Sequence, residues 1–248
     1  MDAISMDASS SSASAPAPSS LSSGATVLKE YGVIHYRGAL TVKEQQALWK
    51  LIRGDCKSRP PQNPIPANFH ISSGDVGAPS RRDEMHTLGE TLYSRFAEAV
   101  AAQLSTDEIA AEPSLKRIAR VHSGEQPVRV DQVSGLCYQA TSVLDIHQDG
   151  PMALQTMSVA LGDACDFIIG QKPTSRKPFK NLRAGAPVTL RMESGDALFF
   201  DGGSVPHGIP KIHKGECPEW WNKAKPGTGS RVSVLFREAD GWDKQFIS

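Results

Sequence analysis

Ile146-His147-Gln148-Asp149-Gly150 sets an imidazole and a carboxylate one residue apart. If the segment is a strand, side chains alternate faces, so His147 and Asp149 share a wall and Gln148 points away. One nitrogen and one oxygen donor would then lie together. A second imidazole would complete a two-His, one-carboxylate set, which leaves positions on a metal open for other ligands. A bare H-x-D has a bland reading as well, a surface imidazole beside a solvated carboxylate, so the rest of the chain must supply the context.

A second histidine is available. In Gly202-Gly203-Ser204-Val205-Pro206-His207-Gly208-Ile209-Pro210, His207 stands where a loop enters a strand. His213 is the competitor, but its neighbours Lys211, Lys214 and Glu216 make a polar, solvated setting. A third stretch is Arg231-Val232-Ser233-Val234-Leu235-Phe236-Arg237. As a strand it sends Val232, Val234 and Phe236 to one face and Arg231, Ser233, Leu235 and Arg237 to the other. Two arginines on one face suit plain solvent exposure. They also suit a carboxylate, which a guanidinium fork binds through two parallel charge-assisted hydrogen bonds.

Short β patterns dominate from Leu115 onward: 116–121, 128–138, 143–147, 156–161, 166–170, 188–192, 196–200, 207–211 and 231–237. Helical signals precede them. Thr41 and Glu44 form a capping-box signature before Leu48, Leu51 and Ile52, with an end expected near Gly54. Leu88, Leu92, Phe96, Val100 and Leu104 recur every four residues, the stripe of a packed helix. Gly32–Tyr36 reads as a strand, and the proline-rich run from Arg59 to about Pro79 as a loop. The expected fold is α+β: a double-stranded β-helix (jelly roll) with supporting N-terminal helices.

Residues 1–24 are mostly Ser, Ala and Pro and are expected to be a disordered tail, with residues 25–248 forming one domain. The tail carries Asp2 and Asp7, no Lys or Arg and no apolar core, which argues against a transit or secretion signal. The net charge of zero announces neither nucleic acid nor membrane as a partner, and no apolar run approaches a membrane span. The four cysteines, Cys56, Cys137, Cys165 and Cys217, are far apart and read as reduced thiols of an intracellular protein.

Taken in order, His147-x-Asp149, His207-Gly-Ile, and Arg231 and Arg237 with five residues between resemble the AlkB family of iron(II)- and 2-oxoglutarate-dependent dioxygenases. The likeness covers about Ser134 to Ala239 and, more faintly, Gly32–Ile52. It implies that His147, Asp149 and His207 bind Fe(II) and are catalytic. It implies that Arg231 holds the distal carboxylate of 2-oxoglutarate, that Tyr138 helps, and that Ser233 and Arg237 belong to the co-substrate site, with O2 the oxidant. The implied reaction is oxidative demethylation of N-alkylated bases in DNA or RNA by a monomer of the nucleus or cytoplasm that needs no membrane. Three positions depart from the family pattern: Leu136 and Ser233 stand where Asn is frequent, and Pro151 where some members carry an acid.

Lys172, Arg176, Lys177, Lys180, Arg183 and Arg191 occur with no acid between Gln171 and Met192, which suits either phosphate contact or a solvated loop. Trp220 and Trp221 suit loop packing as well as substrate contact. Two alternatives stand beside the leading function: the same chemistry on a protein or small molecule, and a non-catalytic jelly-roll binding module.

Overall fold

The computed structural model describes residues 24–58, 61, 65–70, 81–126, 128, 130–149, 153–170, 186–224 and 229–239. Two antiparallel sheets face each other. The larger contains β1 (Ala25–Leu28), β2 (Val33–Tyr36), β3 (Ala67–His70), β4 (Gln132–Tyr138), β6 (Ala153–Gly162), β9 (Ala197–Phe200) and β11 (Arg231–Ala239), in the order β1-β2-β9-β6-β11-β4-β3. The smaller contains β5 (Leu144–His147), β7 (Ala164–Ile169), β8 (Val188–Met192) and β10 (His207–His213), in the order β5-β10-β7-β8. From β4 to β11 the chain crosses between the sheets at every step except β7 to β8, the alternation of a double-stranded β-helix.

The alternation along β11 works as the sequence expects. Val232, Val234 and Phe236 enter a core shared with the helices, while Arg231, Ser233, Leu235 and Arg237 turn toward the space between the sheets. That second space is closed by Tyr138, Phe167, Phe200 and Ile209 among others. The helical layer is α1 (Val42–Ser58), α2 (Arg81–Gln103), α3 (Thr106–Ala111) and α4 (Pro113–His122), with α5 (Glu219–Ala224) near the β10–β11 connection. Residues 1–23 of the expected tail, and Pro151, lie outside the described residues, and the Gly24 carbonyl already accepts a bond from the Arg37 amide.

Thr41 and Glu44 do cap α1: the Thr41 amide donates to the Glu44 carboxylate at 2.7 Å. The helix does not stop at Gly54 but runs on to Ser58. Its apolar face continues from Ile52 to Cys56, both buried, and that packing outweighs the ~1 kcal/mol a glycine costs inside a helix.

Two expectations are corrected. Residues 116–121 are not a strand but part of α4. Leu115 and Ile118 are its buried residues, and their spacing of three is helical, not alternating. The run from 59 to 79 is not all loop: β3 pairs with β4, Ala67 opposite Cys137, and Phe69 packs on Gly135, where a Cβ would sit 2.2 Å from the ring.

The helical layer is tied to β11 by one charged contact. The Arg117 guanidinium donates from Nη2 to Glu238 Oε1 at 2.7 Å and from Nε to Oε2 at 3.3 Å, and Glu238 is only 5% exposed. Removing the cation would leave a buried carboxylate unpaired. Arg117→Met should therefore lower unfolding stability by about 3 kcal/mol in a urea titration, with most of it regained in Arg117→Met/Glu238→Gln. A loss below about 1 kcal/mol would mean the pair behaves as a solvated one.

Candidate metal centre and co-substrate chamber

The smaller sheet brings the two histidines together. β10 begins at His207, which lies directly opposite His147, the last residue of β5. Their rings are 4.4 Å apart, centroid to centroid. Gly208 permits this approach: a Cβ there would meet the Leu144 carbonyl at 2.7 Å. Asp149 lies beyond the end of β5. Its amide donates to the Gly202 carbonyl at 2.8 Å, so the chain turns across the 201–206 loop and swings the carboxylate in beside both rings. Asp149 Oδ1 is 3.5 Å from His147 Nε2 and 3.8 Å from His207 Nε2.

Ring tautomers are set by the backbone. His147 Nδ1 donates to the Asp145 carbonyl and His207 Nδ1 to the Val205 carbonyl, each at 2.9 Å. Both Nε2 lone pairs are thereby directed at the gap beside Asp149, an arrangement found around metal-ligating histidines. His207 is fully buried between Phe200 and the parallel ring of Phe167, and burial pushes its pKa down to about 4, so it is neutral near pH 7. For His147, burial lowers the pKa, but the hydrogen bond to Asp149 and the Asp145 carbonyl outweigh it and the net shift is upward. Burial raises the Asp149 carboxyl, yet the His147 hydrogen bond, the facing His207 ring and the Arg237 guanidinium overcome this and hold it well below the usual carboxylate range. Three donor atoms of His147, Asp149 and His207 lie within 4.8 Å of one another, the one such group among the described residues. His213 is elsewhere, bonded to Asp166 at 2.8 Å.

Behind the three donors lies a narrow cleft between the sheets. Apolar walls come from Leu136, Leu144, Phe167 and Ile209, and polar ones from Tyr138, Ser233, Thr156 and Arg237. Arg237 donates to Ser134 Oγ at 2.9 Å and from Nη2 to Asp149 Oδ2 at 3.4 Å, so it grips the carboxylate oxygen that faces away from the histidines. Arg231 sits deeper, opposite Tyr138 in register and 1% exposed. Its Nη1 donates to the Asp163 carbonyl at 2.8 Å. Burial pushes the Tyr138 phenol up, so it remains protonated. Tyr138 Oη, Arg231 Nε, Arg237 Nε and Thr156 Oγ1 are all buried with no hydrogen-bond partner among the described residues. A buried unpaired donor costs ~1–3 kcal/mol, so a chamber with several is shaped for a polar guest.

Thr156 is a cavity residue that reading the motifs missed. The alternation Thr156-Met157-Ser158-Val159-Ala160-Leu161, polar or small against apolar, carries the signal for it. Trp221 is a packing residue: it meets the Trp49 ring at 4.8 Å and donates to the Ser230 carbonyl. Arg191 contacts Glu216 and is therefore not a free cation for phosphate.

The chain thus has a double-stranded β-helix with two imidazoles and a carboxylate converging at one mouth. The structure of OsALKBH1, an AlkB homologue, aligns with a TM-score of 0.59 at 19% identity, over 86% of this chain and 99% of that one. A Pseudomonas putida prolyl-4-hydroxylase aligns at a TM-score of 0.47 and 13% identity, over 85% of this chain and 94% of that one. A 2OG-Fe(II) oxygenase family oxidoreductase from Burkholderia pseudomallei does so at 0.45 and 12%, over 84% of each chain. No family model matches the sequence, and no curated protein matches it. Among the described residues, no helix is long and apolar enough to cross a membrane.

If these three side chains are the ligands, His147→Ala and His207→Ala should each abolish tight binding of a divalent transition metal in equilibrium dialysis with the fold retained, Asp149→Ala should weaken it while the two imidazoles still give measurable binding, and His213→Ala should bind like the parent. Full binding in His207→Ala would remove the centre from this mouth.

Proposed function

We propose that the chain is an Fe(II)- and 2-oxoglutarate-dependent dioxygenase that uses O2 to demethylate N-alkylated bases in DNA or RNA. The observation that carries this is one arrangement: His147, Asp149 and His207 converge at the mouth of a cleft lined by the Tyr138 phenol, with the buried Arg231 guanidinium beside it and unmatched polar atoms on both. Two imidazole Nε2 atoms and one ionised carboxylate suit a divalent iron and leave the rest of its coordination to small molecules. Iron so held supplies the activation of oxygen that an unreactive N-methyl group needs.

The chain's own residues do the rest. Arg231 and Tyr138, side by side on β11 and β4, give the distal carboxylate of 2-oxoglutarate a fork and a hydroxyl. Arg237 keeps Asp149 turned so that Oδ1 faces the histidines. Phe167, Leu144 and Ile209 keep water from the reacting groups. Substrate enters at the His147 side, where that ring is 37% exposed while His207 is closed in.

Support for a nucleic-acid substrate is electrostatic. Lys172, Arg176, Lys177, Lys180 and Arg183 lie outside the described residues. The residues that flank them are described. The Gly170 amide donates to the Pro206 carbonyl, the residue before His207, and Tyr31 Oη donates to the Ala186 carbonyl at 2.6 Å. The basic stretch follows Gly170, next to the loop that leads into His207, and its charge would suit the phosphates of a strand whose base is in the cleft. The base must be unpaired or flipped to enter. Leu136, Ser233 and Pro151 keep a protein or small-molecule substrate as the second reading.

A panel of N-methylated DNA and RNA oligonucleotides, assayed for formaldehyde with 2-oxoglutarate and Fe(II), decides between these. Release from one or more oligonucleotides, weakening with salt, is expected. Succinate formation with no formaldehyde from any oligonucleotide would move the chemistry to another substrate, and no succinate at all would leave a binding module. Arg231→Lys should raise the half-saturating 2-oxoglutarate concentration roughly thirty- to several-thousand-fold, because losing a charge-assisted pair in a desolvated site costs ~2–5 kcal/mol, while iron affinity stays near the parent's. An unchanged 2-oxoglutarate titration would displace Arg231 from the co-substrate site.

A further inference from the structure

We infer that Gly202 is a positioning residue for the metal centre: its missing side chain is the space that the Asp149 carboxylate occupies. The inference rests on the reading of His147, Asp149 and His207 as metal ligands. A Cβ at Gly202 would lie 2.2 Å from Asp149 Oδ2, 2.9 Å from its Cγ and 3.2 Å from its Cβ, so the whole side chain stands in the way and not merely its tip. Backbone conformation does not demand glycine here. Gly195 and Gly162, with φ of 91° and 93°, are left-handed, but Gly202 is not among the positive-φ glycines.

Neither partner can retreat. The Gly202 carbonyl accepts the Asp149 amide at 2.8 Å. The loop that holds Gly202 is knotted by Asp201, whose Oδ1 accepts the Gly203 and Ser204 amides at 3.0 and 3.2 Å and whose carbonyl accepts the Val205 amide at 2.9 Å. Gln148 Nε2 ties the same loop to the ligand strand through the Ser204 carbonyl at 3.0 Å. On the other side, Arg237 holds Oδ2, the oxygen a methyl group would strike. A methyl at 202 must therefore turn the carboxylate, and Oδ1 leaves its place between the two Nε2 atoms. The loop that delivers His207 thus also sets the rotamer of Asp149, and one segment orients two of the three donors.

The test uses Ni(II), redox-inert and tightly bound by imidazole, with affinity measured by equilibrium dialysis and thermal unfolding followed without metal. Gly202→Ala should lower Ni(II) affinity about ten- to a hundredfold, the range seen when a group that orients a ligand is lost, with the metal-free melting temperature near the parent's. Gly54→Ala, where a Cβ meets nothing within 4 Å, should leave Ni(II) affinity unchanged, with a melting temperature no lower than the parent's because alanine favours the helix. The deciding measurement is the double-mutant cycle. In an Asp149→Ala background, where two imidazoles still hold Ni(II), adding Gly202→Ala should lower affinity no further. An equal drop in both backgrounds, or parent-like affinity in Gly202→Ala, overturns the role of Gly202 while leaving the metal centre standing. A parent protein that fails to bind Ni(II) overturns the metal reading itself, and this inference with it.

Discussion

The mouth of the β-helix depends on keeping Asp149 ionised in a place that disfavours charge. Burial alone would drive its carboxyl toward the neutral form. Two imidazoles and the Arg237 guanidinium reverse that, and each arrives from a different element: His147 from β5, His207 from β10, Arg237 from β11. The pairing of His207 with His147 across the smaller sheet sets the first two, and β11 in the larger sheet sets the third. The two sheets must close on each other before the carboxylate has its partners. The same closure makes His207 neutral, so that the site gains an electron-pair donor and not a second cation.

Arg231 poses the matching problem at the other end of the cleft. A guanidinium that is 1% exposed, with a single backbone carbonyl as its hydrogen-bond acceptor among the described residues, is an incompletely satisfied charge. Buried cations in that condition are destabilising unless something anionic joins them. Tyr138 Oη beside it also lacks a partner. A dicarboxylate that spans from this pair to the metal would satisfy both ends with one molecule, and that is the physical content of the co-substrate assignment. The helical layer backs this end: α1 and α2 pack behind the larger sheet, and Trp49 meets Trp221 behind the strand end that carries Arg231.

Much of this was legible in the sequence, for reasons that can be named. β11 was readable because strict alternation over Arg231–Arg237 leaves one interpretation of its faces. His207 was preferable to His213 because the latter stands among charges, and the structure bonds it to Asp166. α4 was misread because Leu115 and Ile118 are too few apolar positions to fix a period. α3 carried the same capping signature as α1, with Ser105 and Glu108 in place of Thr41 and Glu44, but it buries no residue and so offered no apolar stripe to confirm it. The cleft walls were illegible for a different cause. Thr156, Ser134 and Phe167 become neighbours of Arg237 and His207 only through pairings between distant strands, and no local pattern encodes those.

The registers also join two features that look separate along the chain. Leu136 and Ser233 are the two positions at which asparagine is absent from the pattern the chain resembles, and they lie directly opposite each other on β4 and β11. They are therefore one local change on the cavity face, not two scattered ones. Leucine brings apolar surface and no donor; serine, being short, leaves room for it and keeps a hydroxyl. Such a pair keeps the wall filled while removing polar contacts from the middle of the cleft. On the proposed reading, what remains to hold a dicarboxylate lies at the ends: Tyr138 with Arg231 beside it at one, and His147, Asp149, His207 and Arg237 at the mouth. A guest fixed at two ends across an apolar midsection is selected by its length. On this reading the cleft discriminates among 2-oxo acids by the separation of their carboxylates more than by contacts along their chains.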